Sequence, residues 1–194
     1  MTPAARLQAT IEILDEVIAS AQEHGPPADA IVTRYFKTRR YAGSKDRRAV
    51  RELVFWAIRT VAERPASGRA TLLALAAVDP PLLGLFGEPR GPERLVEDEP
   101  VAEPGIVPAW LVSELSPLVG PDEWPALLER APLDLRVNAA RSKREALLPE
   151  FAGAEPTELS PWGIRLSPGS RIEGHPPFPR GLGEVEGAGR QVIG

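Results

Sequence analysis

The stretch Arg34–Arg59, RYFKTRRYAGSKDRRAVRELVFWAIR, constrains the fold of this chain more than any other. In its second half Val50, Leu53, Val54, Ala57, Ile58 and Val61 recur at i, i+3, i+4, i+7, i+8 and i+11. An α-helix gathers that spacing into one apolar stripe, wide enough to face a core. The helix predicted here runs from Lys45 to Glu63, with Ser44 as N-cap, Asp46 in the first turn and Pro65 as the stop. From Arg34 to Arg51 the stretch also holds Arg34, Lys37, Arg39, Arg40, Lys45, Arg47, Arg48 and Arg51 against the single acid Asp46, a balance of +7. The whole chain carries −4, which leaves −11 for everything else. An acidic protein that gathers its positive charge in one place presents a defined anion-facing patch.

The residue types around that patch suggest which anion. Tyr35, Phe36 and Tyr41 are interleaved with the cations, and aromatic rings beside Arg and Lys stack on unpaired bases. The start of a helix suits phosphate. Arg34, Lys37, Arg39, Arg40, Lys45, Arg47 and Arg48 are therefore the candidate RNA-contacting residues of this half. Two readings compete with this one. A charge run can simply be a solvated helix face, and Tyr35 and Phe36 stand four residues after Ile31 and Val32, a spacing that suits core packing.

Composition narrows the alternatives. With 194 residues and 43% hydrophobic side chains, the chain can build one domain or two small ones. It has no cysteine, which excludes disulfides, thiolate metal sites and a cysteine nucleophile. His24 and His175 lie far apart without ligand spacing, so no metal is expected. No apolar run approaches the ~20 residues of a membrane span and no signal peptide opens the chain, so the expectation is a cytoplasmic protein with no membrane partner. Most of the 22 prolines follow Asp79, and the second half should be broken into short elements.

Taken in order, Thr2-Pro3 opens a first helix with the stripe Leu7, Ile11, Leu14 and Ile18, ended by Gly25 as the left-handed residue. A second helix starts at Pro27 and carries Ile31, Val32, Tyr35 and Phe36. The long basic-fronted helix follows, then one opened by Ser67-Gly68 with Leu72, Leu73, Leu75 and Ala76. Short connections make these an antiparallel helical bundle. Between Asp79 and Pro104 stand six prolines and seven acids against Arg90 and Arg94. Leu82, Leu83, Leu85 and Phe86 are its buried residues, and 88–104 is a surface loop. Helices with Trp110, Leu111 and Leu115, and with Trp124, Leu127 and Leu128, complete a helical domain over 1–131. From 132 to 194 the pattern changes. Leu133–Asn138 alternates as a strand, Ser142-x-x-Glu145 reads as a capping box for a helix with Leu147, Leu148 and Phe151, and strands are predicted at Glu155–Leu159 and Trp162–Leu166. That order makes a small α+β unit on a mainly α chain. Gly181-Leu-Gly183 and Gly187-Ala-Gly189 read as flexible loop, and the rest of the tail has no regular structure. No dinucleotide, P-loop, zincin or nucleophile-elbow motif is present.

Three stretches resemble the N-terminal region of the Fmu/Sun, RsmB/NOP-type family of RNA 5-methylcytosine methyltransferases. RRYAGSKDRRAVRELVFWAIR is similar to the signature of the family's NusB-like helical domain. PLDLRVN, from Pro132 to Asn138, is similar to the strand that opens its second domain, which is like an RNA-recognition motif. The tail FPRGLGEVEGAGRQVIG resembles the segment leading into the methyltransferase domain, with Val185 and Gln191 matching and Glu186, Gly187 and Arg190 departing from a Val-Gln-Asp-Glu-x-Ser-Gln pattern. The resemblance implies a NusB-like bundle, an RRM-like unit, ribosomal RNA as partner, and Arg136 and Asn138 as further RNA-facing residues. The family's S-adenosylmethionine loop and two catalytic cysteines have no counterparts here, so no cofactor site and no catalytic residue is expected in this chain. The expectation is an RNA-binding portion lacking the catalytic domain, as a truncated product, a split gene's first half or a retained module, acting alone or with a separate methyltransferase chain. The alternative is a protein-interaction module of transcription or ribosome assembly, with the acidic loop 88–104 as its contact surface.

Overall fold

The computed structural model describes residues 1–129, 131–167, 170, 172, 175 and 180–193. The chain is a mixed α+β protein of two compact units, Met1–Leu128 and Glu129–Gly194.

Unit 1 begins with α1, Pro3–Gln22, whose N-cap Thr2 accepts a hydrogen bond from the Ala5 N–H. Its buried face is wider than a single stripe, taking in Ala4, Leu7, Ala9, Thr10, Ile11, Ile13 and Leu14. The helix ends one residue earlier than the glycine suggests. His24, not Gly25, adopts the left-handed conformation, with φ of 54°. Gly25 instead sends its N–H back to Ser20 O at 2.8 Å. A Cβ there would lie 2.6 Å from Ser20 Oγ, so glycine is needed for close approach rather than for its φ.

Helix α2, Ala28–Lys37, buries Ile31, Val32, Tyr35 and Phe36. Helix α3, Ser44–Thr60, buries Val50, Val54 and Ala57, while Leu53 and Ile58 are half-buried. Its N-cap is Gly43, and Ser44 is the first helical residue. Ser44 is therefore not the N-cap, and the Asp46 carboxylate, three residues on from Gly43, accepts the Gly43 N–H at 3.2 Å. The helix also stops at Thr60, ahead of Pro65, because Val61 turns extended and pairs with Pro104.

Helix α4, Gly68–Val78, is capped by Ser67, which accepts the Ala70 N–H at 3.1 Å. Every residue from Ala70 to Ala76 is buried. A helix that is apolar all round must be surrounded, and α1 and α3 both pack on it. Gly68 lets α1 come close, since a Cβ there would lie 2.5 Å from Ile11 O and 2.8 Å from Leu14 Cβ. A 3-10 turn, Pro80–Leu85, follows. Leu82 is buried but Leu83 is 40% exposed, and Leu85 and Phe86 are half-buried. The loop beyond has no helix or strand, yet Arg69 ties it down through Glu93 O, Arg94 O and the Glu99 carboxylate. The last helices are short. Helix α5, Ala109–Val112, leaves Trp110 70% exposed, and α6, Trp124–Leu128, leaves Leu127 exposed. Four and five residues cannot present the full apolar face that the pattern promised.

In unit 2, β1 (Asp134–Val137), β2 (Glu155–Pro156), β3 (Gly163–Arg165) and β4 (Gly183–Val185) form one antiparallel sheet of order β2-β3-β1-β4. Leu135 faces Ile164 across the central pair. With Val137, Leu147, Phe151 and Leu166 they make the second core. Helix α7, Arg144–Leu147, has Lys143 as N-cap and no side-chain cap bond. The Ser142 capping box is not formed, because Ser142 N–H is already held by Asn138 O in the preceding turn. Strand β2 is only two residues long; Pro156 offers no N–H, and Thr157, whose N–H still reaches Gly163 O at 3.0 Å, turns its Oγ1 to Ser160 O. Strand β4 and helix α8, Ala188–Ile193, occupy the glycine-rich tail read as flexible loop. They form because β1 offers β4 an edge and the Asp134 carboxylate accepts the Ala188 N–H at 3.2 Å. The expectation of an irregular tail falls partly on residues 168, 169, 171, 173, 174 and 176–179, which lie outside the described residues.

Leu72→Ala, at a fully buried α4 position, is expected to cost about 2–5 kcal/mol. Leu83→Ala, at a 40% exposed site, is expected to cost less than about 1 kcal/mol. Denaturant midpoints of the two variants check the difference, and equal costs would contradict the burial of α4.

Candidate nucleic-acid interface

The basic patch is built on the turn between α2 and α3. Ala42, buried at its tip, anchors the turn to the core, and its N–H bonds Arg39 O at 3.1 Å. Arg47 Nε donates to Ala42 O at 2.9 Å, tying the first turn of α3 to the same point. Asp46, the acid inside the patch, points inward. Its carboxylate accepts from the Met1 nitrogen at 3.0 Å, Arg6 Nε at 2.9 Å and the Gly43 N–H. The Met1 ammonium first, then Arg6, hold its carboxyl below the usual carboxylate range, against burial.

The surface cations are therefore left without their nearest acid. Lys37, Arg40, Lys45, Arg47 and Arg48 are exposed. None of the five has a salt-bridge partner among the described residues. Arg34 and Arg39 differ. Arg34 pairs with Glu16 of α1. Arg39 lies over the Tyr35 ring, 3.5 Å from its centroid, and reaches Tyr35 O at 3.2 Å and Glu12 at 3.4 Å. Of the aromatics, Phe36 is buried against Tyr35, and the Tyr35 hydroxyl donates to Glu12 Oε2 at 2.6 Å. Burial, then Glu12, push the Tyr35 phenol well above its ordinary value and keep it neutral. Tyr41 is 73% exposed at the turn.

Beside this turn an open cavity of about 650 Å³ lies between the first turns of α1 and residues Tyr35, Arg39, Tyr41 and Arg90. Gln8, Glu12 and Arg90 belong to this surface, and sequence reasoning passed over all three. Gln8 and Glu12 share one α1 face at i, i+4 and bond each other at 3.2 Å. Arg90 carried a local signal, since Pro89-Arg90-Gly91 has the form of a tight turn with arginine where glycine or asparagine is usual.

The other two candidates lie in unit 2. Arg136, on central strand β1, is bound by the Glu184 carboxylate, with Nε at 3.0 Å, and lies 2.9 Å from Glu186 Oε2. Glu184, then Glu186, raise the guanidinium pKa further. Asn138 organises the following turn, donating to Gly181 O and accepting the Ala140 N–H. On the same polar side of β1, buried Asp134 takes both arms of Arg165, at 2.9 and 3.0 Å, and caps α8. The Arg165 bonds hold the Asp134 carboxyl below its usual range although burial opposes this. Among the described residues no group of acids and histidines is placed to hold a metal. No described helix is long and apolar enough to cross a membrane.

No family model and no curated protein matches this chain. Among solved structures, one named "Crystal Structure of PH0851" aligns with a TM-score of 0.44 and 12% identity, over 96% of this chain and 53% of that one. The chain thus spans about half the length of that solved chain. The likeness is too distant to inform function.

Asp134 has a lowered pKa in the folded state, so its pairing stabilises unit 2 above the unfolded carboxyl value of about 3.9 and the gain fades as the pH falls below that. Asp134→Asn is expected to speed amide exchange in β1 and β3 at pH 7, and the gap from the parent should narrow below about pH 4. A gap that stays constant through that range would show that the charge is not the source.

Proposed function

We propose that this chain is the RNA-binding N-terminal portion of an RsmB/NOP-type, S-adenosylmethionine-dependent rRNA cytosine-C5 methyltransferase, and that it lacks catalytic residues of its own. One observation carries the reading. The α2–α3 turn exposes Lys37, Arg40, Lys45, Arg47 and Arg48 without acid partners, while Asp46 is turned inward. In a protein of net charge −4, that arrangement suits a phosphate backbone. The motif order described above supports a NusB-like unit 1. The antiparallel order β2-β3-β1-β4 supports an RRM-like unit 2, since β-α-β-β-α-β sheets share it.

In this reading unit 1 makes the first contact. The polar side of the unit 2 sheet presents Arg136 and Arg165 already bound to carboxylates, and none of β1, β3 and β4 carries an aromatic. Arg136 and Asn138 join the interface only after giving up internal partners. The partner is ribosomal RNA in the cytoplasm. S-adenosylmethionine and the thiolate that attacks cytosine C6 come from a methyltransferase domain or chain. The second reading, a protein-interaction module, is favoured by exposed Trp110, Leu118 and Leu127, which are 70%, 89% and 53% exposed.

RNA titrations at two salt concentrations test the first reading. Affinity should fall with salt, and changing Arg40, Lys45, Arg47 and Arg48 to Ala should flatten the log–log slope by about 0.7 per lost contact with single strands. An unchanged slope in a variant with normal circular dichroism would favour the protein-interaction module. A second expectation concerns chemistry. The chain has no cysteine, so incubation with labelled S-adenosylmethionine and ribosomal RNA should transfer no label above background. Label on a cytosine C5 would overturn the non-catalytic assignment.

A further inference from the structure

The cavity beside the basic turn is not accounted for by phosphate binding. Its polar lining includes Thr2, Gln8, Glu12, Tyr35, Arg39, Tyr41 and Arg90, with Met1 at one end. At about 650 Å³ it is of a size that takes a nucleotide. The wall is pre-set. Glu12 is held by Gln8 at 3.2 Å and by the Tyr35 hydroxyl at 2.6 Å, and the Arg39 guanidinium lies 3.5 Å from the Tyr35 ring centroid. Tyr41, which also lines the cavity, is 73% exposed.

Arg90 adds an independent observation. It has a φ of 65°, in the left-handed region, at the third position of the turn Glu88-Pro89-Arg90-Gly91, closed by Gly91 N–H to Glu88 O at 2.9 Å. A turn of that shape prefers glycine at this position, and a side chain there is strained. The turn cannot drift from α1, because it is pressed so close that a Cβ on Gly91 would lie 2.7 Å from Ala4 Cβ. Arg90 thus sits in a strained backbone position at the cavity, and it has no salt-bridge partner among the described residues.

We propose that this cavity is a subsite for one unpaired nucleotide of the bound RNA, with Tyr41 stacking on the base, Arg90 and Arg39 facing its phosphate, and the Gln8–Glu12 pair facing the base edge. The subsite rests on the RNA-binding reading and adds to it that the substrate is single-stranded where it meets unit 1. Stacking needs a base face free of its neighbours, which a duplex does not offer.

The test uses the full chain and an RNA decamer with one central 2-aminopurine, as a single strand and as a duplex. The parent should prefer the single strand and quench the probe. Tyr41→Ala should weaken single-strand binding roughly 5- to 150-fold and leave the duplex unchanged, and Tyr41→Trp should restore it. Arg90→Gly should also weaken single-strand binding while raising the unfolding midpoint, since it relieves the turn. If the parent binds both forms and Tyr41→Ala changes neither, the subsite is overturned and the RNA-binding reading stands. If the parent binds neither form, both fall together.

Discussion

Helix α4 has no polar face along Ala70–Ala76, and unit 1 is arranged around that fact. Seven consecutive buried positions need neighbours on every side, which α1, α3 and the Pro80–Leu85 turn supply. The close approach of α1 depends on Gly68, whose N–H also bonds the Asp15 carboxylate at 2.7 Å. Each fully buried leucine there contributes about 1.5–3 kcal/mol by leaving water. The amphipathic α3, though more conspicuous in sequence, is one wall around this centre.

Two buried carboxylates set the electrostatic character of the two units in opposite ways. Asp46 satisfies the start of α3, Arg6 and the Met1 nitrogen, and Lys37, Arg40, Lys45, Arg47 and Arg48 on the adjacent surface have no acid partner among the described residues. Asp134 binds Arg165 and the start of α8, and Glu184 and Glu186 bind Arg136. The first arrangement leaves a positive surface. The second leaves a sheet face on which Arg136 and Arg165 are already paired with carboxylates.

The acidic segment after α4 has a similar double role. Arg69 gathers Glu99 and two loop carbonyls under the Phe86 ring, 4.9 Å from its centroid, and gives a proline-broken stretch a fixed path. That path carries Arg90 to the first turn of α1. A loop that is electrostatically opposed to nucleic acid thereby delivers one cation to the basic surface.

Local chemistry was legible from the residues alone wherever it acts over one turn of helix. The Thr2 and Ser67 caps, the buried Val50, Val54 and Ala57 stripe and the strand at Asp134–Val137 all follow from spacing and side-chain type. The inward Tyr35 and Phe36 follow from their i+4 spacing to Ile31 and Val32. The tertiary structure decided what depends on distant partners. It placed the N-cap at Gly43 rather than Ser44, with Gly43 N–H and Arg6 meeting on the Asp46 carboxylate. It made β4 and α8 from a glycine-rich tail, because β1 had an open edge and Asp134 a free lone pair. It withdrew Arg136 behind Glu184 and Glu186 and brought Gln8, Glu12 and Arg90 beside Tyr41. Periodicity reports which face of an element is apolar. Which charges remain unpaired is settled only when elements far apart in sequence meet.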